Sequence, residues 1–160
     1  MNMPYMSFSL GGVLMGVPAQ QVIEVSRAVA VELTRMPFAV RHVLGLINLR
    51  GTLAVGVDLA SCLSVEPSKA SSSDSALPSL WVFAQAQQGL LGLRVDAVSD
   101  IHMVAPHDLL PPPVALTGAM RHIVSGTVAL PGTLLHVLSL EDIPLQPDAN
   151  LSSAFVEGVS

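Results

Sequence analysis

The sequence has little charge, few aromatic side chains and a single cysteine. Of its 160 residues, 12% are charged and 4% are aromatic. The seven Lys and Arg residues and the net charge of −5 offer no clustered basic surface for phosphate groups, so we expect no nucleic-acid partner. Cys62 cannot form an internal disulfide, which fits a reducing cytoplasm, and we expect it to be a small buried apolar residue.

Long hydrophobic runs are also missing, although hydrophobic residues make up 51% of the chain and the mean hydropathy is +0.60. Every apolar run is well short of the roughly 18 residues that a membrane helix needs. The first basic residue is Arg27, so the positively charged start of a signal peptide is not present. The sequence therefore predicts a cytoplasmic protein without direct membrane insertion, whose excess apolar surface could dock partners.

Motifs of catalysis are scarce. The chain contains no Gly-x-Ser-x-Gly elbow, no phosphate-binding loop and no Cys-x-x-Cys pair. His102 and His107 lie close in sequence, with Asp100 and Asp108 beside them, but a third ligand at metal-site spacing is missing. We expect a protein that is not an enzyme and uses no cofactor or metal. A metal-dependent enzyme or binder using His102 and His107 is the alternative of a different class.

The central feature of the sequence is the stretch 45–59, which predicts a β-hairpin. Two β-prone apolar runs flank Arg50-Gly51, and glycine at that place supplies the positive φ of a tight turn. Leu53, Val55 and Val57 are expected to build the lobe from the second strand. The polar residues of the stretch are few: Asn48, Arg50 and Asp58.

Alternation and turn residues predict an all-β chain with low helix content. Residues 5–17 read as a hairpin with a Gly11-Gly12 turn, and Pro18 can start a short helical turn through Gln21. Further strands are predicted at 22–25, 28–33, 80–84 and 90–95, a helical turn at 38–43, and a final hairpin at 123–140.

The stretch 64–79 predicts a flexible connection between two halves, because it is rich in serine and contains Pro67 and Pro78. We expect a domain over 1–144, with one lobe at about 5–63 and the other at about 80–144, and we allow for an exchange of strands between them. Residues 145–160 are expected to form a poorly packed tail.

The two halves resemble each other, which indicates an internal duplication. Gly16-Val17 followed by Val22 and Glu24 matches Gly92-Leu93 followed by Val98 and Asp100, at an offset of 76. The hairpin 45–59 matches 126–140 at an offset of 81, and Arg41-His42 matches Arg121-His122. The sequence thus predicts two copies of one β unit.

Comparison of the two copies shows which turn residues the repeated unit needs, and Arg50 is not one of them. Gly51 and Gly132 share one turn position, but the second copy has Pro131 where the first has Arg50. Turn geometry does not explain an arginine there. One interpretation is a solvated charge that pairs with Asp58 or Glu24 and contributes about 0–1 kcal/mol. The other is an anchor in a protein interface, whose truncation commonly costs about 2 kcal/mol or more.

The ordered set of motifs resembles the CheW family of chemotaxis coupling proteins, over roughly residues 5–144. The most telling piece is Asn48-Leu49-Arg50-Gly51. The remaining pieces are Phe8 to Gly12, Gly16 to Pro18, Val22 to Val25, Leu33 to Pro37, Val57 to Leu59, Gly92 to Asp96 with Val98, Pro111 to Pro113, and Ile123 to Leu140.

The resemblance implies two SH3-like five-stranded β barrels packed on a shared core, with a few short helical turns. It also implies a non-enzymatic adaptor between the cytoplasmic tip of a methyl-accepting chemoreceptor and the regulatory domain of a CheA-type histidine kinase. Self-association of CheW-like units in receptor arrays is possible in such a family. The receptor-binding residues it implies are Arg50, Asn48, Val22 and Glu24, with Gly51 and Asp58 supporting the hairpin.

Two features depart from the family pattern. Val55-Gly56 stands where the family often has Pro and a bulky apolar residue, and a glycine in a strand permits close backbone approach or marks a bulge. The serine-rich connection and the low charge leave open a coupling protein of a pilus-motility or other non-flagellar chemosensory system.

Overall fold

The computed structural model describes residues 1–35, 40–65, 80–116 and 118–146, and strands make up most of them. The predicted all-β class with few short helical turns is confirmed. The strands are β1 (Met3–Leu10), β2 (Val13–Pro18), β3 (Val22–Arg27), β4 (Leu33–Arg35), β5 (Val43–Leu49), β6 (Thr52–Asp58), β7 (Leu80–Ala86), β8 (Gly89–Val95), β9 (Ala97–Val104), β10 (Leu109–Leu110), β11 (Val124–Leu130) and β12 (Thr133–Leu138). The helices are α1 (Leu59–Leu63) and α2 (Gly118–Ile123), with 3-10 turns at Ala19–Gln21, Ala28–Ala30, Pro106–Asp108 and Leu140–Asp142.

Hydrogen bonds join the described strands into two sheets of six, in the orders β10-β11-β12-β2-β1-β9 and β3-β7-β8-β6-β5-β4. We call the second sheet, which carries the Arg50 turn, the arginine lobe, and the first sheet, which carries the Pro131 turn, the proline lobe. The family resemblance implied five strands per lobe, and each sheet has six. The sequence pattern did not predict β9 or β10, nor β4 as a separate strand; β4 and β10, with three and two residues, carry no alternating pattern of their own.

The two lobes exchange strands between the halves of the chain. The proline lobe combines β1 and β2 with β9 to β12, and the arginine lobe combines β7 and β8 with β3 to β6. The boundaries 5–63 and 80–144 therefore follow the chain and not the sheets. Two parallel pairs each join a strand of the first half to a strand of the second half, β2 with β12 and β6 with β8. Each half of the chain completes the sheet of the other, so the lobes form one unit.

The register of these parallel pairs matches the internal repeat. Gly16 lies opposite Val137, and Gly92 lies opposite Gly56. Gly92 follows Gly16 by 76 residues and Val137 follows Gly56 by 81, which are the two offsets found in the sequence. The two pairs are therefore equivalent, and the backbone pairing confirms the predicted duplication.

The described residues form three apolar clusters, because some strands bury both of their faces. On β7, Trp81 and Phe83 belong to the cluster inside the arginine lobe, whereas Val82 and Ala84 belong to the core shared by the lobes. Successive side chains of a strand point to opposite faces, so one buried run serves two clusters. The cluster inside the proline lobe consists of Tyr5, Val104, Val128, Leu135 and Val137.

The aromatic pair of the arginine lobe packs over two glycines. The rings of Trp81 and Phe83 stack with centroids 6.4 Å apart. A Cβ at Gly56 would lie 3.4 Å from the Trp81 ring, and one at Gly92 would lie 3.0 Å from the Phe83 ring. The β5–β6 register shifts beside Gly56, as expected for a bulge. The close approach predicted at this glycine is made by side chains and not by another backbone.

Two local predictions have different outcomes. The helical turn after Pro18 is confirmed as Ala19–Gln21. The strand predicted at 28–33 is wrong in its first part, because the Val31 N–H donates to the Ala28 carbonyl and closes a 3-10 turn before β4 begins at Leu33. Apolar β-branched residues in a short run do not distinguish such a turn from a strand.

Of the helical turn predicted at 38–43, residues 40–43 are described, and the Val43 N–H donates to the Val40 carbonyl at 3.2 Å in a single turn that leads into β5. The serine-rich connection and the tail lie mostly outside the described residues. Ser64 ends α1 in the left-handed conformation, and its N–H bonds back to the helix. Val65 and Leu145 pack against the shared core. The described first residue of the predicted tail is therefore packed, contrary to the expectation for that position.

Cys62 lies in the shared core, as predicted for a small buried apolar residue. Burial raises the pKa of its thiol to about 11, and the nearby Asp58 carboxylate adds to the shift. The thiol is therefore unreactive in the folded protein. Within the described part of the chain, the helices are too short and too polar to cross a membrane.

Candidate interaction site

The tip of the β5–β6 hairpin is a tight turn that Asn48 closes. Arg50 has a φ of 53° and Gly51 a φ of 88°. Positive φ at both central residues is typical of a type I′ turn, which suits the twist of a hairpin but disfavours a residue with a Cβ. The Gly51 N–H donates to Asn48 Oδ1 at 2.8 Å. Arg50 is therefore held in a conformation that its own backbone does not prefer.

The equivalent turn of the proline lobe has another geometry. Its ring fixes Pro131 at negative φ, and Gly132 follows with a φ of 77°. Negative then positive φ is the pattern of the type II turn that Pro-Gly favours. The two hairpins thus have equivalent strands and the same register but differ at the tip. This difference supports the interpretation that the fold does not require Arg50.

Arg50 pairs with Glu24 of β3, one of the two partners considered for it. Arg50 Nη2 lies 2.9 Å from Glu24 Oε1, and the Ser26 hydroxyl donates to Glu24 Oε2 at 2.7 Å. The Glu24 side chain is 22% exposed, whereas the Arg50 side chain is 81% exposed. The carboxylate is therefore fixed on both oxygens, while most of the guanidinium stays open to solvent.

The strands next to this ion pair, β3 and β6, also carry exposed aliphatic side chains. β3 is at the edge of its sheet and shifts its register against β7 between Val22 and Glu24, so Ile23 is the extra residue of a bulge. Ile23 is 56% exposed, and Leu53, which pairs with Asn48 across the hairpin, is 63% exposed. The prediction that Leu53 helps to build the lobe is wrong, because Leu53 lies next to the hairpin tip and is exposed. Val57, further along the same face of β6, is buried in the shared core.

Two predicted site residues lie apart from Arg50. Val22 is half-buried on β3 and packs against the shared core. Asp58 is at the far end of β6, where its carboxylate accepts from the Ser61 N–H at 3.4 Å and caps α1. Asp58 therefore supports the helix after the hairpin and not the Arg50 tip, whereas Gly51 and Asn48 build that tip.

The histidines considered as metal ligands have other contacts. His102 Nε2 lies 3.0 Å from the hydroxyl of the buried Ser7, which also exchanges two hydrogen bonds with the Asp100 backbone. His107 is exposed and lies 3.5 Å from Asp108. Among the described residues, no three His, Cys, Asp or Glu side chains are grouped so as to hold a metal ion. The geometry offers no support for the metal-dependent alternative.

Sequence reasoning missed Ser26 and Ile23. The period of two along 22–27 could have placed Ser26 on the face of Glu24, since residues i and i+2 of a strand share a face. The bulge at Ile23 left no signal in the sequence. An exposed guanidinium held by a fixed carboxylate is able to bind an acceptor group on another protein, and the neighbouring strands also expose aliphatic side chains.

Comparison with known proteins gives one family. The family model described as the CheW-like domain matches residues 4–145. The chain is 32% identical over 110 residues to the chemotaxis protein CheW of Rhizobium meliloti, covering 69% of this chain and 68% of that protein. It is also 32% identical over 108 residues to a probable chemotaxis protein CheW of Rhizobium etli, covering 68% and 66% respectively.

A solved structure has the same fold. The crystal structure of the scaffolding protein TtCheW from Thermoanaerobacter tengcongensis superposes with a TM-score of 0.75 at 25% sequence identity. The match covers 88% of this chain and 90% of the solved chain. It confirms the predicted arrangement of two SH3-like lobes.

Proposed function

This chain belongs to the family of CheW-like domains, and from that premise we propose that it is a non-enzymatic adaptor that couples chemoreceptor tips to a CheA-type histidine kinase. The observation that carries the proposal is Arg50, an exposed cation held at positive φ on a tip that the fold closes elsewhere with Pro131. Strained residues on a rigid scaffold are concentrated at functional sites.

The receptor contact is assigned to the Arg50 tip. Arg50 supplies the charge, Glu24 and Asn48 hold it in place, and the exposed Ile23 and Leu53 supply apolar contact area. An arginine flanked by aliphatic side chains is a common composition for an interface anchor. In this proposal Val22 supports β3 from the side of the shared core.

The kinase contact is assigned to apolar surface away from the tip. Ile101, Met103 and Leu134 in the proline lobe are 59%, 61% and 47% exposed. Exposed aliphatic groups of this size fit docking to a CheW-like domain of the kinase or to another CheW-like unit. Such an adaptor acts in the cytoplasm at receptor arrays and has no chemistry of its own. It raises the effective concentration of kinase at the receptor and lets the receptor bias the kinase.

The test is Arg50→Glu. We expect its affinity for a purified chemoreceptor cytoplasmic fragment to fall by roughly thirtyfold or more, because charge reversal removes the anchor and places a second carboxylate near Glu24. Binding to the regulatory domain of a CheA-type kinase should persist. Isothermal titration calorimetry measures both affinities, and circular dichroism checks the fold.

The matched control is Arg41→Glu, which makes the same charge change at another exposed arginine. It should leave receptor binding within about twofold of the wild type. Equal losses in both variants would mean that net charge, and not the tip, governs binding. Unchanged binding of Arg50→Glu would refute the assignment of the tip, and failure of the wild-type chain to bind either partner would refute the adaptor function.

A further inference from the structure

We propose that Ser26 is a positioning residue that acts through Glu24 to keep the Arg50 guanidinium aimed at an acceptor group on the partner. The inference rests on the proposed function for its partner, but the hydrogen-bonded chain that it describes lies within this molecule. The group on the partner that Arg50 would bind is a carboxylate beside an apolar surface.

The chain of contacts runs along one face of β3 to the hairpin tip. The Ser26 hydroxyl donates to Glu24 Oε2 at 2.7 Å, and Glu24 Oε1 accepts from Arg50 Nη2 at 2.9 Å. Residues 24 and 26 share a face because side chains alternate along a strand. Both distances are typical of hydrogen bonds to ionised groups. The two carboxylate oxygens therefore have different partners, and the carboxyl plane is fixed.

A fixed carboxylate matters because, among the described residues, no other hydrogen bond or ion pair holds the Arg50 side chain. Arg50 is at a turn, its side chain is 81% exposed, and a free arginine samples many rotamers. The ion pair uses Nη2, and a guanidinium has five N–H donors, so donors remain for a second acceptor. Planar paired donors match a carboxylate. The strands next to this pair also carry exposed aliphatic side chains, Ile23 beside Glu24 in β3 and Leu53 opposite Asn48 in the hairpin.

The equivalent positions of the proline lobe lack this chain. Asp100 corresponds to Glu24, and its Oδ1 accepts from the neighbouring Ile101 N–H at 2.8 Å. His102 corresponds to Ser26 and bonds to Ser7, and Pro131 corresponds to Arg50. The contacts from Ser26 to Arg50 are thus a property of one lobe and are not required to build the repeated unit.

The experiment compares Ser26→Ala with Ser26→Thr, which keeps the hydroxyl, and with Ser99→Ala, an exposed serine on the edge strand β9. The first readout is hydrogen exchange of the Arg50 Nε–H by NMR, assigned with Arg50→Lys. We expect exchange about threefold faster in Ser26→Ala and unchanged in the other two variants. The second readout is affinity for the chemoreceptor cytoplasmic fragment. It should fall about threefold in Ser26→Ala and equal that of the wild type in Ser26→Thr.

Each result decides a separate point. Unchanged Arg50 exchange in Ser26→Ala would overturn the positioning role, whatever the binding data are. Faster exchange with unchanged affinity would overturn the link between positioning and recognition. If the wild-type chain does not bind the fragment, the proposed function fails, while the exchange measurement still decides whether Ser26 orders Arg50.

Discussion

The two lobes are built on equivalent strands, but they end their β-hairpins differently. The arginine lobe puts Arg50 at a φ of 53°, whereas the proline lobe uses Pro131-Gly132, whose residues suit their turn. The left-handed region costs a residue with a Cβ about 1 kcal/mol or more. Since the same unit folds with an unstrained tip, folding does not require the strain in the arginine lobe, which agrees with the proposed role of Arg50 in binding.

The lobes also differ inside. The arginine lobe packs Trp81 and Phe83 over the glycine pair, while the proline lobe has Val137 at the position of Gly56. At the position of Val55 the proline lobe has His136. The Nδ1 atom of His136 and the hydroxyl of Thr127 make no hydrogen bond among the described residues. The arginine lobe thus packs a pair of stacked aromatic rings, whereas the proline lobe has buried polar atoms without a hydrogen bond among the described residues.

Among changes that make the two lobes more alike, the largest effect on stability is expected from Gly56→Val, which gives the arginine lobe the valine that the proline lobe has at this position. The new side chain would press on the Trp81 ring, where even a Cβ lies at 3.4 Å, and on Leu33. We expect a loss of about 1–3 kcal/mol in the free energy of unfolding, measured by urea denaturation. The control is Leu53→Val at the exposed start of the same strand, for which a change within about 0.5 kcal/mol is expected. A stable Gly56→Val protein would mean that the aromatic pair is not packed as described.

A smaller effect is expected from His136→Val, which gives the proline lobe the residue of the arginine lobe. Removing a buried, unpaired ring nitrogen should raise the free energy of unfolding by about 1 kcal/mol at neutral pH.

The same variant should change the dependence of stability on pH. Burial lowers the pKa of His136 in the folded protein, so the unfolded chain takes up the proton first as the pH falls. Above the unfolded pKa of about 6.5 the histidine is neutral in both states and does not change the free energy of unfolding with pH. As the pH falls from there toward the folded pKa, protonation of the unfolded chain lowers the free energy of unfolding. Urea denaturation at pH 7.5 and 5.5 should show a larger loss for the wild type than for His136→Val. Equal losses would place the pH dependence on other groups.

The smallest effect is expected from Arg50→Asn, which sharpens the comparison of the tips. Asn tolerates positive φ, and Asn-Gly is a favoured type I′ turn, so we expect a gain of about 0.5 kcal/mol in stability. Receptor binding should be lost at the same time. Thermal unfolding and titration of the receptor fragment measure the two changes, and a loss of stability would mean that the Arg50–Glu24 pair outweighs the strain.

Much of the fold could be read from the chain. Alternation placed most of the long strands, and the two sequence offsets predicted equivalent units whose register the parallel pairs of Gly16 and Gly92 then matched. The short strand β4 and the turn at Ala28–Ala30 were not predicted, because such brief segments depend on neighbours that are distant in sequence. For the site, Arg50 and Glu24 were identified, whereas Ser26 and the bulge at Ile23 were not.

By itself, the sequence determined the class of the fold, the duplication and the choice of Arg50 as the residue that turn chemistry does not explain. These follow from local properties, since alternation, glycine at turns and residue identity act over a few positions. Only the tertiary structure decided that β1–β2 and β7–β8 change lobes, that Arg50 pairs with Glu24 and not Asp58, and that Leu53 is exposed. Each of these depends on contacts between segments far apart in the chain, where a one-residue shift of register moves a side chain to the other face.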